Sequence, residues 1–169
     1  MTKRMLAALV ALAGLFVATY LTLYKLGLIG TLSCSVGSCE TVQLSRWATL
    51  FGLPVAAWGV GYYAVVFALA LAGVHGRLVD SRRIALALVL LTGWGLIFSA
   101  WLTYLELFVI DAICQWCVVS AVLAAALFVI CFLDWRESRK EFRVPSSQFP
   151  EDYPAHDAKA AHESGRIGE

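Results

Sequence analysis

The chain has 169 residues, of which 60% are hydrophobic and 15% are charged, and its mean hydropathy is +0.76. This composition excludes an ordinary water-soluble domain of the same size and is typical of a protein embedded in a bilayer. The formal net charge of +1 gives no indication of a nucleic-acid partner.

Four apolar stretches follow one another along the chain, at residues 5–24, 54–74, 84–108 and 113–133. A helix rising about 1.5 Å per residue needs roughly 20 residues to cross about 30 Å of hydrocarbon. We therefore predict an all-α membrane protein whose residues 1–133 form a bundle of four transmembrane helices. The first stretch could instead be a secretory signal, but its apolar run is longer than the core of such signals, and no convincing cleavage site closes it.

Basic residues indicate how this bundle is oriented. They precede the first stretch, separate the second from the third, and follow the fourth: Lys3, Arg4, Arg77, Arg82, Arg83, Arg136, Arg139, Lys140 and Arg143. An even number of spans puts all three groups on one side, whereas the other side has only Lys25 and Arg46. Because basic residues accumulate in cytoplasmic loops, we expect a multi-pass protein of the inner (plasma) membrane with both termini in the cytoplasm.

The first outer loop contains the sequence CSVGSC, in which Gly37 and small serines separate Cys34 from Cys39. Such a segment can bend to close a disulfide. The sequence ETVQLSRWATLF follows, and its mixture of apolar and polar residues with a tryptophan suits a short interfacial helix. That helix could cap a pocket between the spans, although a loop resting on lipid would have the same composition.

A second cysteine pair, Cys114 and Cys117, opens the fourth stretch on the same outer side. Residues three apart share one helix face, and in a first turn the free amide hydrogens and the helix dipole stabilise a thiolate. Four thiols on an oxidising face are compatible with disulfide staples, a zinc site or a redox centre. We favour redox exchange, because a Cys-x-x-Cys loop removes little chain entropy and lipid-packed helices do not need a structural zinc.

The last part of the chain offers less chemistry. Cys131 is near the cytoplasmic end of the fourth stretch, where we predict that it is buried as a small hydrophobic residue. Residues 134–169 are polar and contain prolines, which indicates a flexible cytoplasmic tail.

Taken together, these motifs resemble the bacterial vitamin K epoxide reductase family of membrane thiol oxidoreductases. The resemblance covers roughly residues 5–133 and depends on Cys34-x4-Cys39, a serine six residues after the second cysteine, Gly52-x-Pro54 at the second span, and CQWC at the fourth. The related quinone-linked oxidases of the DsbB type have the reverse arrangement, with Cys-x-x-Cys in the first outer loop.

The resemblance implies an electron relay that ends on a quinone, ubiquinone or menaquinone. Cys34 and Cys39 would be the shuttle pair that takes electrons from a thioredoxin-like protein. Cys114 and Cys117 would be the pair beside the quinone, with Cys39 and Cys114 forming the transient link between pairs. Cys117 would then be the thiolate that meets the quinone ring, and Ser45 matches the family's serine near a quinone carbonyl.

Two departures from the family pattern refine this expectation. Bacterial fusions carry a C-terminal thioredoxin-like domain that is missing here, so we expect a separate periplasmic or extracytoplasmic thioredoxin-like (DsbA-like) partner. Ala121 stands where the animal enzymes have a tyrosine, which weakens any claim to epoxide reduction. The alternative function is a cysteine-stapled membrane scaffold or assembly factor without turnover.

Other polar and aromatic residues near the outer side are weaker candidates. Glu106 and Asp111 flank the outer end of the third stretch and could pass protons to a reduced quinone, although carboxylates at helix ends are more often simply solvated. Six aromatic residues could line a pocket or serve only in packing: Trp58, Tyr62, Tyr63, Trp94, Trp101 and Tyr104.

Overall fold

The computed structural model describes residues 3–35, 37–74 and 82–141. Its helices are α1 (Lys3–Lys25), α2 (Cys39–Leu44), α3 (Val55–Ala72), α4 (Arg82–Leu105) and α5 (Gln115–Glu141). The four long helices are long and apolar enough to cross a membrane. The prediction of an all-α bundle of four transmembrane helices is therefore confirmed.

Short elements complete the end of the bundle that carries the cysteine pairs. A 3-10 turn (Arg46–Ala48) follows α2, and a hairpin of β1 (Thr49–Leu50) and β2 (Leu53–Pro54) leads into α3. A π-helical turn (Glu106–Ile110) extends α4. For residues 40–51 the composition suited either one short interfacial helix or a loop. The structure has a helix only as far as Leu44, since the backbone of Ser45 is extended with φ −63° and ψ 155°.

Small residues hold the long helices close together. α1 packs against α3 and α5, and α4 packs against α5. Ala7, Ala11 and Gly14 are buried along α1, and small side chains allow helix backbones to approach closely in a membrane. A Cβ atom on Gly14 would lie only 2.2 Å from the ring of Tyr63, so a larger residue there would push α3 away. Cys131 is buried in this core, as predicted.

Polar contacts join α1 to α5 and to the end of α3, on the side of the bundle away from the cysteine pairs. The Arg4 guanidinium contacts Asp134 at 3.0 Å and donates a hydrogen bond to the carbonyl oxygen of Gly73, also at 3.0 Å. Lys3 pairs with Glu137. These contacts explain why residues 134–141, assigned above to the tail, continue α5 as helix. The rest of the expected tail, residues 142–169, and Arg77 lie outside the described residues.

Candidate active site

The outer-loop pair forms a disulfide between Cys34 and Cys39, whose Cα atoms are 6.3 Å apart. Gly37, with φ +89°, provides the bend between them. Cys34 is half-buried, whereas Cys39 begins α2 and is 1% exposed. Cys34 is therefore the more accessible of the two disulfide-bonded cysteines, although it also packs against the buried cluster that contains Cys39.

The loop that carries this disulfide is fastened to the start of α5. Gly37 and Cys114 form an antiparallel β-bridge, and the amide of Ser38 donates a hydrogen bond of 2.9 Å to the carbonyl oxygen of Ile113. Next to this bridge, the indole of Trp116 donates a hydrogen bond of 2.8 Å to the carbonyl oxygen of Ser33. The two cysteine pairs are thus held together by backbone contacts.

Cys114 lies just before α5 rather than in its first turn, where the sequence placed it. Its carbonyl oxygen accepts the first helical hydrogen bond, from the amide of Val118 at 3.0 Å, which makes Cys114 the N-cap residue. The helix cannot start earlier, because Asp111 is left-handed with φ 51° and the chain that follows pairs with Gly37. Cys39 and Cys114 are both buried in one apolar cluster.

Cys114 and Cys117, called the inner pair below, are both free thiols in this structure. Cys114 is 0% exposed. A hydrogen bond from the Cys117 thiol lowers the pKa of Cys114 to about 7. A thiolate at Cys114 also meets the free amides at the N-terminus of α5, as the helix-dipole argument predicts.

A cavity of about 620 Å³ opens beside Cys117, between α3, α4, α5 and the segment from α2 to the hairpin. Its volume is in the range of small-molecule sites, which are mostly apolar with a few polar groups. Aromatic residues of the lining include Trp47, Phe51, Trp58, Tyr62, Tyr63, Trp94 and Phe98. Polar residues of the lining include Gln43, Ser45, Glu106, Cys117 and Ser120.

The sequence model of the vitamin K epoxide reductase family matches residues 5–132, which include both cysteine pairs. The chain belongs to this family. It is accordingly a multi-pass membrane protein and an oxidoreductase. The resemblance noted from the sequence motifs is thereby confirmed.

Vitamin K epoxide reductase family proteins act with quinones, and the cavity can be tested against that chemistry. A quinone needs a flat apolar slot with a few polar groups for its carbonyl oxygens. The lining provides aromatic walls together with the Ser45 hydroxyl and the Gln43 amide. The residues present therefore fit a quinone. Within residues 3–35, 37–74 and 82–141, no three His, Cys, Asp or Glu side chains are grouped to hold a metal ion.

Of two buried polar residues beside the inner pair, Glu106 was named from the sequence only as a weaker candidate, and Gln43 was not named as a site residue. Gln43, on α2, is 6% exposed, and its amide nitrogen lies 4.0 Å from the sulfur of Cys117. Glu106 is 5% exposed, and its Oε2 accepts a hydrogen bond of 3.3 Å from the backbone amide of Cys114. A carboxylate within an apolar span is costly to bury and often marks a functional site. On this ground Glu106 could have been ranked as a stronger candidate than the exposed Asp111. Gln43 gave no comparable signal.

The remaining predicted residues divide between the cavity and the outside of the bundle. Ser45 lines the cavity, but its hydroxyl donates a hydrogen bond of 2.8 Å to the carbonyl oxygen of Val42. Tyr63 also lines it, and its hydroxyl donates a hydrogen bond of 2.9 Å to the carbonyl oxygen of Ser120. Four of the six aromatic residues named from the sequence line the cavity, whereas Trp101 and Tyr104 are not among its described lining residues.

Proposed function

We propose that the protein is a thiol:quinone oxidoreductase that takes electrons from a thioredoxin-like (DsbA-like) protein and passes them through two cysteine pairs to a membrane quinone. This activity would support disulfide bond formation. The observation that carries the proposal is the position of Cys117, which lines an apolar cavity while Cys114 is bridged to the disulfide loop.

The outer pair receives the electrons. A thiolate of the reduced partner attacks the half-exposed Cys34, a partner–Cys34 bond forms, and Cys39 leaves as a thiolate. The second partner thiol then resolves the mixed disulfide, so the partner is oxidised and Cys34 and Cys39 are reduced. Cys34 is more accessible than the buried Cys39, which supports its role as the attacked sulfur.

The inner pair receives electrons from Cys39. The Cys39 thiolate attacks Cys114 of an oxidised inner pair, and Cys117 leaves as a thiolate. Cys34 then attacks Cys39, which restores the outer disulfide and leaves the inner pair reduced. An outer disulfide with an inner dithiol is the arrangement seen here, and it corresponds to the state that is ready to reduce a quinone.

Bound in the cavity, the quinone supplies the electron acceptor and takes up two electrons and two protons. Cys117 presents its sulfur to the cavity, and formation of the Cys114–Cys117 disulfide releases both electrons. Gln43 and Ser45 would orient the carbonyl oxygens, with Ser45 exchanging its bond to Val42 for one to the quinone. The aromatic walls keep water away from the sulfur.

We further propose that the site faces the outside of the inner membrane, with both termini in the cytoplasm. The basic residues Lys3, Arg4, Arg136 and Arg139 support this orientation, because they lie at the end of the bundle opposite the cysteine pairs.

A reconstituted assay tests the proposed function. The purified protein is incubated with a reduced DsbA-like protein and ubiquinone or menaquinone, and quinone loss is compared with the appearance of oxidised partner. Equal amounts of both are expected. Cys114→Ala and Cys117→Ala should abolish quinone reduction even with a small dithiol as donor, whereas Cys34→Ala should impair chiefly the protein donor.

Cys131→Ala is the matched control, because Cys131 is buried in the core away from both pairs and should be dispensable for turnover. A wild-type protein that consumes no quinone with either donor would instead support a cysteine-stapled scaffold without turnover.

A further inference from the structure

Glu106 is the residue of the cavity whose chemistry the relay does not use. It is buried at the end of a membrane-spanning segment. Among the lining residues that the structure describes, it is the only Asp, Glu, His, Lys or Arg side chain. Burying a carboxyl group in an apolar surrounding is expensive, so its retention there calls for a function or a structural partner.

The carboxyl group of Glu106 lies beside the inner pair. Its Oε2 accepts the hydrogen bond from the backbone amide of Cys114 at 3.3 Å. Cys117, three residues further along the chain, lines the same cavity as Glu106. The thiol that faces the cavity therefore shares it with the one carboxyl group among the described lining residues.

Local backbone geometry sets up this contact. The π-helical turn Glu106–Ile110 ends at the left-handed Asp111, and the amide of Ala112 then bonds back to the carbonyl oxygen of Glu106 at 3.1 Å. This tight return brings the start of α5 over the Glu106 side chain. Single π-helical turns occur often at functional sites, because they displace a side chain from the regular helical position.

Oxidation of a dithiol by a quinone has to move protons as well as electrons, and an apolar cavity offers few acceptors. We propose that Glu106 is a catalytic residue that accepts the proton of the Cys117 thiol as the inner disulfide forms and delivers it to a quinone oxygen. This inference rests on the proposed function.

The step balances in atoms and electrons. Cys114 enters the step as the thiolate that the relay releases when Cys34 attacks Cys39, and Cys117 enters it as a thiol. A bond forms between the two sulfurs, and the two electrons reduce the quinone to its hydroquinone. The Cys117 proton passes through Glu106 to one quinone oxygen, which returns Glu106 to the carboxylate, and the second quinone oxygen takes a proton from solvent.

A purely structural role for Glu106 is the competing explanation, since its carboxylate also caps the start of α5 through the Cys114 amide. Glu106→Gln separates the two roles, because its amide oxygen keeps the acceptor for that amide but cannot carry a proton. Glu40→Gln is the matched control, because Glu40 is an exposed carboxyl group on α2 at the same end of the bundle.

Two measurements test the proposal. In the quinone assay, Glu106→Gln should lower kcat by about 100-fold or more, the usual contribution of general acid–base catalysis, with KM for the quinone little changed. Glu40→Gln should keep the wild-type kcat. A thiol count on the reduced protein, together with thermal unfolding, confirms that the inner pair and the fold of each variant are intact.

The second measurement is made without quinone. Infrared difference spectra between chemically produced dithiol and disulfide states should contain a carboxyl band in the wild type and in Glu40→Gln. Glu106→Gln should lack this band. A wild-type kcat in Glu106→Gln, or a low kcat with an unchanged spectrum, overturns the proton transfer. If the wild type itself reduces no quinone, the proposed function fails, and the infrared band still decides whether Glu106 exchanges a proton with the thiol pair.

Discussion

Gly37 pairs with Cys114 across an antiparallel bridge, so the loop that holds the outer disulfide shares backbone contacts with the N-cap of α5. The approach is close, since a Cβ atom on Gly37 would lie 2.2 Å from the carbonyl oxygen of Ile113. Only a residue without a side chain fits there. The bridge keeps Cys39 and Cys114 in one buried cluster, which is the arrangement that a thiol relay between them needs.

Gly37→Ala should break this bridge. The substitution adds a clash with Ile113 to the strain of a positive φ, which typically costs about 1–3 kcal/mol. We expect a lower melting temperature and slower quinone reduction with the protein donor, with less effect when a small dithiol reduces the inner pair directly. Gly30→Ala is the control, because its added Cβ would meet nothing within 4 Å. Equal behaviour of the two variants would show that the bridge is dispensable.

The proposed link between the pairs can be trapped. In the double variant Cys34→Ala, Cys117→Ala, neither resolving thiol remains, so Cys39 and Cys114 should form a stable mixed disulfide. Cleavage between α3 and α4 then leaves two fragments that stay joined on a gel without reductant and separate with it. Adding Cys39→Ala is the control and should release the fragments. Separation in the double variant under oxidising conditions would contradict the relay.

The acidity of Cys114 should depend on Cys117. The hydrogen bond from Cys117 lowers the pKa of Cys114 to about 7, so its thiolate forms as the pH rises through about 7. Cys117→Ala removes this donor, and the thiolate absorbance should then appear only at higher pH. Cys117→Ser keeps a donor and should titrate closer to the wild type. Identical titrations of the Ala and Ser variants would argue that the helix N-terminus alone sets the pKa.

The orientation in the membrane is testable on intact cells. After mild reduction, a membrane-impermeant thiol reagent should label Cys34 or Cys39 and spare the buried Cys131. An Arg136→Cys variant places a thiol at the exposed end of α5 and should react only after the cells are permeabilised. If the reagent labelled this variant from outside and did not reach Cys34, the orientation would be the opposite of the one proposed.

The number of spans, their approximate bounds and the position of both cysteine pairs at one end of the bundle could all be predicted from the amino-acid sequence. These features depend on the hydropathy of each segment taken alone. A run of apolar residues long enough to cross the hydrocarbon core forms a transmembrane helix whatever its neighbours are. The burial of Cys131 could be predicted in the same way, because a small hydrophobic residue within such a run packs without a specific partner.

The surroundings of the site residues could not be predicted in this way, because they depend on how distant segments pack. Glu106 and Gln43 become buried because α2, the π-helical turn and α5 converge on one cavity, and no local pattern encodes that convergence. The N-cap position of Cys114 likewise depends on Gly37, which is distant in sequence. Hydropathy is a property of each segment, whereas the surroundings of a polar side chain are set by which segments meet, and that is a property of the whole fold.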